Sequence, residues 1–430
     1  VRIERLGDLG SAPMVLRAVA AAAERRGMAP PAALIGEWFR CGAVIAPSVT
    51  VAAVTYSDFG ALADAPRTPA RRNHQDDGSV GGGWFGYLSY PDASADGRPA
   101  RIPEAAGGWS DCVLRQDSDG HWWYESLSGA KLSGWIAEAL RNPLPPNDFD
   151  ITWGGADRDA HRRGVLDCLE AIAAGEIYQA CVCTQFAGRL DGAPIDFFVD
   201  AVERTSPARA AFLAGEWGAV ASLSPELFLR RAGDVVTSSP IKGTLPRTAD
   251  PAALRASVKD VAENIMIVDL VRNDLGRVAV TGSVTVPELL AVRPAPGVWH
   301  LVSTVAARVP TGLPVAALLD AAFPPASVTG TPKTRARELL IGWEQHRRGV
   351  YCGTVGLASP VAGCELNVAI RTVEFGADGS AVLGVGGGIT ADSDPDLEWD
   401  ECLHKAAPIV GATRSADSAR RGSRPAVPAR

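Results

Sequence analysis

Two stretches more than a hundred residues apart put carboxylates where the dry side of a helix should be. In "KDVAENIMIVDLVRNDLGRV" the apolar residues recur at helical spacing, yet Glu263 falls in line with Ile267 and Leu270, and Asp260 sits three residues earlier on the same side. In "DPDLEWDECLHKAAP" the pattern returns, with Glu398 and Glu401 three apart and Lys405 one turn beyond Glu401. Carboxylates gathered in an interior repel one another and resist desolvation, so they persist only with something cationic between them. Hard oxygen ligands without His or Cys point to magnesium. The same charges also suit two solvated helix faces carrying salt bridges, and the pattern alone leaves both readings open.

A third stretch, "SSPIKGTLPR" at 238–247, spends a strongly hydrated cation, Lys242, on what reads as a strand end running into a tight turn. An amine there is either a salt-bridge partner at a turn or a nucleophile made neutral by its surroundings. The stretch "GVGGGITADSD" offers close backbone approach to a ligand, but it lacks the GK[ST] of a phosphate loop and the GxGxxG register, so a plain tight turn is its simplest reading. "SVTGTPKTRARELL" reads as a Ser/Thr/Gly turn entering a helix, with Pro332 near the first turn; ordinary capping and anion binding at the helix start both fit it.

The elements that must position these groups follow from periodicity. "MVLRAVAAAAERRGM" reads as a helix ended by Gly27, "GGGWFGYLSY" and "GHWWYESL" as strands, and "RNPLPPNDFD" as a break, which divides the chain near 148. Beyond the break, Val165, Cys168, Leu169 and Ile172 keep helical spacing up to Gly175, and "YQACVCTQFAGRL" continues as a strand. The last stretch, from about 413 to 430, has Ser, Arg and Pro without apolar periodicity and reads as a disordered tail.

With 430 residues, 47% of them hydrophobic, the chain has material for a large core, and a net charge of −7 argues against nucleic acid as a partner. No apolar run is long enough to cross a bilayer and the first thirty residues do not read as a signal peptide, so a cytoplasmic location without membrane partners is expected. The eight cysteines show neither CxxC pairs nor zinc spacing, which predicts reduced, mostly buried thiols.

Taken in order, "GEIYQACVCTQF", "SLSPELFLR", "SPIKGTLPR", "AENIMIVDLVRNDLGRV", "WHLVSTV", "FPPASVTGTPK", "YCGTVG", "AIRTVEF" and "GVGGGITADSDPDLEWDECLHKA" resemble the chorismate-utilising enzymes, the family of anthranilate synthase component I and its relatives. The resemblance is strong over about 150–410 and loose before it. It implies an α+β fold of large antiparallel sheets flanked by helices, with an N-terminal subdomain at 1–148 and a chorismate-binding catalytic domain at 149–412.

PIKGT is the form carried by the aminodeoxychorismate synthases of the family, whereas anthranilate synthases usually have alanine at the lysine. Isochorismate and salicylate synthases carry a water-activating lysine where this chain has Gln179. The resemblance therefore implies an amine nucleophile, with chorismate and ammonia giving 4-amino-4-deoxychorismate, for folate or for a secondary metabolite such as an aryl-amine antibiotic. Anthranilate or 2-amino-2-deoxyisochorismate synthesis, or a non-catalytic binding subunit, are the alternatives. "GTPK" in place of GAPK, Ser327 where Thr is usual, and "TSPARAAFL" in place of an NPSPYM-like stretch put feedback binding of tryptophan in doubt.

For the site, the resemblance implies Mg2+ held by Glu263 and Glu401, with Asp260 and Glu398 behind them through water. Arg371, Tyr351 and Lys405 would hold the second carboxylate of chorismate, the backbone of Gly386, Gly387 and Gly388 would donate N–H groups, and Gly243, Thr244, Ser327 and Gln179 would line the pocket. Glu226 would be the general acid, Lys242 the covalent nucleophile with a depressed pKa, and His300 a hydrogen-bonding partner near C4, unless it is simply a core histidine. No Cys-His-Glu glutaminase signature is present, so ammonia is expected from a separate glutamine amidotransferase subunit.

Overall fold

The strand Arg209–Gly215 is apolar on both faces, without the alternation of a half-buried strand. The computed structural model, which describes residues 1–64, 78–91, 100–142 and 144–411, gives the reason. Ala211 and Leu213 face a second sheet, while Ala210 and Phe212 face helices.

Two antiparallel sheets lie face to face. The first, of twelve strands, runs from Arg2–Gly7 at one edge through Ala32–Trp38, Arg209–Gly215, Gly218–Ser224, Thr372–Gly376 and Ser380–Ile389 to Gln179–Asp191 and Gly330–Thr331 at the other. The second, of ten strands, begins with Ile241–Pro246 and Val298–Arg308 and passes through Leu227–Ala232, Gly363–Asn367 and Thr354–Ser359 to Gly83–Leu88. Leu34, Val44, Leu213 and Val220 of the first meet Phe85, Tyr87, Val355 and Leu357 of the second in a core from which water is excluded. The outer faces carry helices: Leu16, Phe197 and Phe198 cover the first sheet, and Ile267, Val268 and Leu318 cover the second. Val165, Cys168 and Leu340 pack from two further helices on Ala180, Val182 and Ile389. This is an α+β architecture of antiparallel sheets flanked by helices.

Strands from either side of the Pro-rich 142–150 segment share both sheets. Arg209–Gly215 pairs with Ala32–Trp38, and Thr354–Ser359 pairs with Gly83–Leu88. The tail expected at 413–430 lies outside the described residues. None of the eight cysteines is in a disulfide, and every one but Cys112 is buried. Among the described residues no helix is long and apolar enough to cross a membrane.

Two helices matter for the site, and each begins with a side-chain cap. Ser257 accepts from the Asp260 N–H at the start of Val258–Gly276, and Asp394 accepts from the Asp396 and Leu397 N–H groups at the start of Pro395–Val410, where Pro395 fills the first turn. These caps set the helix starts, so that Asp260 and Glu398 stand in first turns where the helix dipole favours a negative charge.

Candidate active site

The stretch around Lys242 is a strand, not a strand end entering a turn. Ile241–Pro246 pairs with Val298–Arg308, and the register shifts between Ile241 and Thr244. Gly243, with φ of 85° in the region favoured by glycine, lies at that irregularity. A Cβ on it would stand 3.1 Å from Asp260 Cβ, so the strand and the Val258–Gly276 helix approach closely there. The glycine-rich 384–389 segment likewise continues a strand, Ser380–Ile389, where a tight turn was the simplest expectation. Ten ladder pairs to Gln179–Asp191 hold it extended.

Its glycines make room for side chains instead of bending the chain. Tyr351 packs its ring where a Cβ on Gly384 would be, and Cys183 does so at Gly386. A Cβ on Gly388 would stand 3.1 Å from Lys242 Nζ and 4.0 Å from Glu263 Oε2, and one on Gly387 would stand 2.9 Å from Glu398 Oε2 and 3.8 Å from Glu401 Oε1. One bare strand thus faces the lysine and carboxylates from two helices that are distant in sequence.

Each carboxylate has its own surroundings. Burial pushes the Glu263 carboxyl up, with the Lys242 and Lys259 ammonium groups pulling the other way, and its Oε1 is buried without a hydrogen-bond partner among the described residues. Glu398 accepts from the Ser393 hydroxyl at 2.6 Å. Desolvation would raise the half-exposed Glu401, but Lys405 at 2.7 Å, with Lys259 and Lys242 adding to it, holds the carboxyl below its usual value. Lys405 also donates to the Gly386 carbonyl at 2.7 Å, so its ammonium is engaged within the protein. Asp260 lies against Gly243 and contributes to the rise at Glu263.

Glu226 is buried where its strand enters the second sheet. Burial pushes its carboxyl up to about 7, against the Ser327 hydroxyl hydrogen bond and the Lys242 charge. An apolar cleft beside it is lined by Phe228, Val271, Leu275 and Ala326, together with Ser327 and Asp274. On Val298–Arg308, the strand paired with Ile241–Pro246, His300 Nδ1 is 2.9 Å from the Thr244 hydroxyl. Burial, then the charge of Arg371, push His300 down to about 4, so the ring is neutral at physiological pH. Arg371 has φ of 51° and is itself lowered by burial, and no carboxylate among the described residues pairs with it. A partly buried guanidinium so placed has its planar fork available to an anion. Tyr351 is buried, which raises its phenol. Gln179, buried at the start of its strand, leaves its Oε1 without a partner among the described residues.

Three side chains of consequence were not singled out from the sequence. Lys259 Nζ lies 3.6 Å from Glu398 Oε1 and 4.0 Å from Glu263 Oε1, and Ser393 orients Glu398. The Lys259–Glu263 spacing of four residues was a visible signal. Lys333, at the start of Lys333–Trp343, is tied to Asp274 at 2.5 Å and to the Ala322 carbonyl at 2.9 Å, so it clamps two helices together.

The donor set is consistent with magnesium. All candidate ligands are carboxylate oxygens, Glu263 Oε1 is orphaned, and a side chain at Gly387 would fill the space that Glu398 and Glu401 face. As they stand, with ammonium groups between them, no three acidic, His or Cys side chains among the described residues are drawn together tightly enough to hold an ion.

The sequence pattern of the chorismate binding enzymes matches residues 37–411. Aminodeoxychorismate synthase component 1 of Escherichia coli K12 is 40% identical over 276 residues, covering 62% of this chain and 61% of that protein. Aminodeoxychorismate synthase of Streptomyces pristinaespiralis is 36% identical over 370 residues, 78% of this chain and 51% of that protein. The chain thus spans between half and two thirds of the length of these curated relatives. Among solved structures, anthranilate synthase component I from Streptococcus pneumoniae TIGR4 superposes with a TM-score of 0.68 at 25% identity, covering 79% of this chain and 82% of that one. The menaquinone-specific isochorismate synthase from Escherichia coli gives 0.68 at 18% identity over 95% and 94% of the two chains, a likeness of fold. With its matched segment holding the second sheet, most of the first and every candidate site residue, the chain belongs to the family of chorismate binding enzymes.

Proposed function

We propose that the chain converts chorismate and ammonia to 4-amino-4-deoxychorismate and water through a covalent adduct on Lys242. The observation that carries this reading is the placement of that amine: it lies against the bare Gly388 strand, near enough for its charge to act on both Glu226 and Glu263. An amine placed there can add to a ring carbon, whereas at a surface turn it would serve only as a charge.

The residues divide the work. Arg371 receives a substrate carboxylate through its planar fork, and neutral His300, fixed by Thr244, offers a hydrogen bond beside it. Magnesium, held by Glu263 and Glu401 with Asp260 and Glu398 behind them, would neutralise the other carboxylate and fix the ring. Glu226, protonated below about 7, delivers its proton to the C4 hydroxyl, which leaves as water while the Lys242 amine adds at C2 through its lone pair. Ammonia then bonds at C4, the lysine leaves C2 as a free amine, and the extra proton on nitrogen returns to the Glu226 carboxylate. One difficult displacement becomes two easier ones.

A separate glutamine-hydrolysing subunit is proposed as the ammonia source. Cys402, whose Sγ lies 3.5 Å from His161 Nε2, is pushed up to about 12 by burial and is therefore an inert thiol. Incubation with chorismate, Mg2+ and ammonium salt at alkaline pH, followed by mass spectrometry with and without an added lyase, tests the proposal. The expected product carries the amine at C4; an amine at C2, or unchanged chorismate, overturns it.

A further inference from the structure

Lys259 is a cation that lies between the two acidic helices. It stands one turn before Glu263 on Val258–Gly276 and reaches across to Glu398 on Pro395–Val410, at 4.0 Å and 3.6 Å respectively. The contact is loose. Glu263 Oε1 receives no hydrogen bond from it, and the lysine side chain is 47% exposed, against 12% and 5% for its two partners. Glu398 does not depend on it for its placement, because the Ser393 hydroxyl holds that carboxylate. A long, half-exposed side chain that bridges two buried carboxylates without a tight bond to either is the member of the cluster that leaves most readily.

We infer that Lys259 is a resident counter-ion that occupies the ground between Glu263 and Glu398 and is displaced when a divalent cation binds, so that it sets the metal affinity of the substrate-free protein. The inference rests on the proposal that these carboxylates hold magnesium. In the metal-free state the ammonium offsets the mutual repulsion of the acids. The incoming ion must replace that interaction, which lowers its apparent affinity. The released side chain swings into solvent, where its stem has room.

The test uses the full chain without substrate and MgCl2 as the probe. Calorimetric titration compares the wild type with Lys259→Met, and with Arg272→Met, which removes a charge from the same helix but one paired at the surface with Asp269. Lys259→Met is expected to bind Mg2+ about fivefold more tightly, the worth of one half-exposed ion pair, and Arg272→Met within about twofold of wild type. In parallel, acetylation by an N-hydroxysuccinimide ester, read at residue 259 by mass spectrometry, is expected to speed up on Mg2+ addition.

Unchanged reactivity at Lys259, with or without tighter binding by the Met variant, overturns the inference while leaving the magnesium reading intact. Equal affinity of wild type and Lys259→Met does the same. Failure of every chain to bind Mg2+ overturns both.

Discussion

Gly388 leaves open the space that the Lys242 amine points into, and a Cβ at Gly388 would stand 3.1 Å from Nζ. That separation is tight for a methyl group, and the flexible lysine is the partner that must give way. Gly388→Ala is therefore expected to fold with little change in melting temperature, yet to lower kcat about tenfold or more by displacing the nucleophile. Steady-state kinetics beside a thermal melt check this, and an Ala variant with full kcat would contradict the placement.

Lys242→Ala should abolish amination while leaving chorismate and Mg2+ binding in place. Removing the amine takes one positive charge from beside Glu226 and Glu263 but leaves Arg371 and every carboxylate in the chain. Isothermal titration with chorismate, alongside product analysis, separates the two effects. Full activity in the variant would end the covalent scheme.

Glu226 predicts the alkaline limb of the pH profile. A general acid with a pKa of about 7 loses its proton as pH rises through that value, so the chemical step should slow above it. His300, at about 4, cannot supply that limb. The same shift has a stability sign. Between the ordinary value of 4.5 and about 7 the folded state holds a proton that the unfolded state has lost, so stability falls as pH rises through this window and levels off above it. Glu226→Gln should lack that slope, of about 3 kcal/mol in total, and lack the alkaline limb. Urea midpoints at pH 5 and pH 8 for both proteins give the comparison.

Glu401→Gln should remove the Mg2+ dependence together with activity. The amide is a weaker ligand, and Lys405, bonded to Glu401 at 2.7 Å, loses its counter-charge as well. Activity measured across an Mg2+ series after chelation is the check. A variant still activated by the metal would contradict the ligand assignment.

The pair of Lys333 and Asp274 supports the floor of the cleft beside Glu226. Lys333→Met should leave a buried carboxyl, already raised to about 6, without its cation, and cost about 3 kcal/mol. Adding Asp274→Asn should recover much of the loss. Urea midpoints of the single and double variants would show it.

Much of this was legible in the chain itself. The helical period of Val165, Cys168, Leu169 and Ile172 and that of the Val258–Gly276 stretch are local properties of a 3.6-residue repeat, and both helices are where the period puts them. Charges at misplaced positions, Glu263 and Glu398 above all, marked the acidic faces before any coordinates existed. The glycines of 384–388 were misread as a turn because glycine permits both a turn and a strand, and only the ladder to Gln179–Asp191 decides which.

What the sequence determined by itself was the set of elements and the chemical types, since periodicity, capping and residue chemistry are fixed within a few turns of chain. Tertiary structure alone decided which carboxylates face the same bare strand, that Lys259 lies between two of them, and that the partly buried Arg371 has no ion-pair partner among the described residues. Burial and charge pairing depend on groups brought together across more than a hundred residues, and no local pattern records that distance.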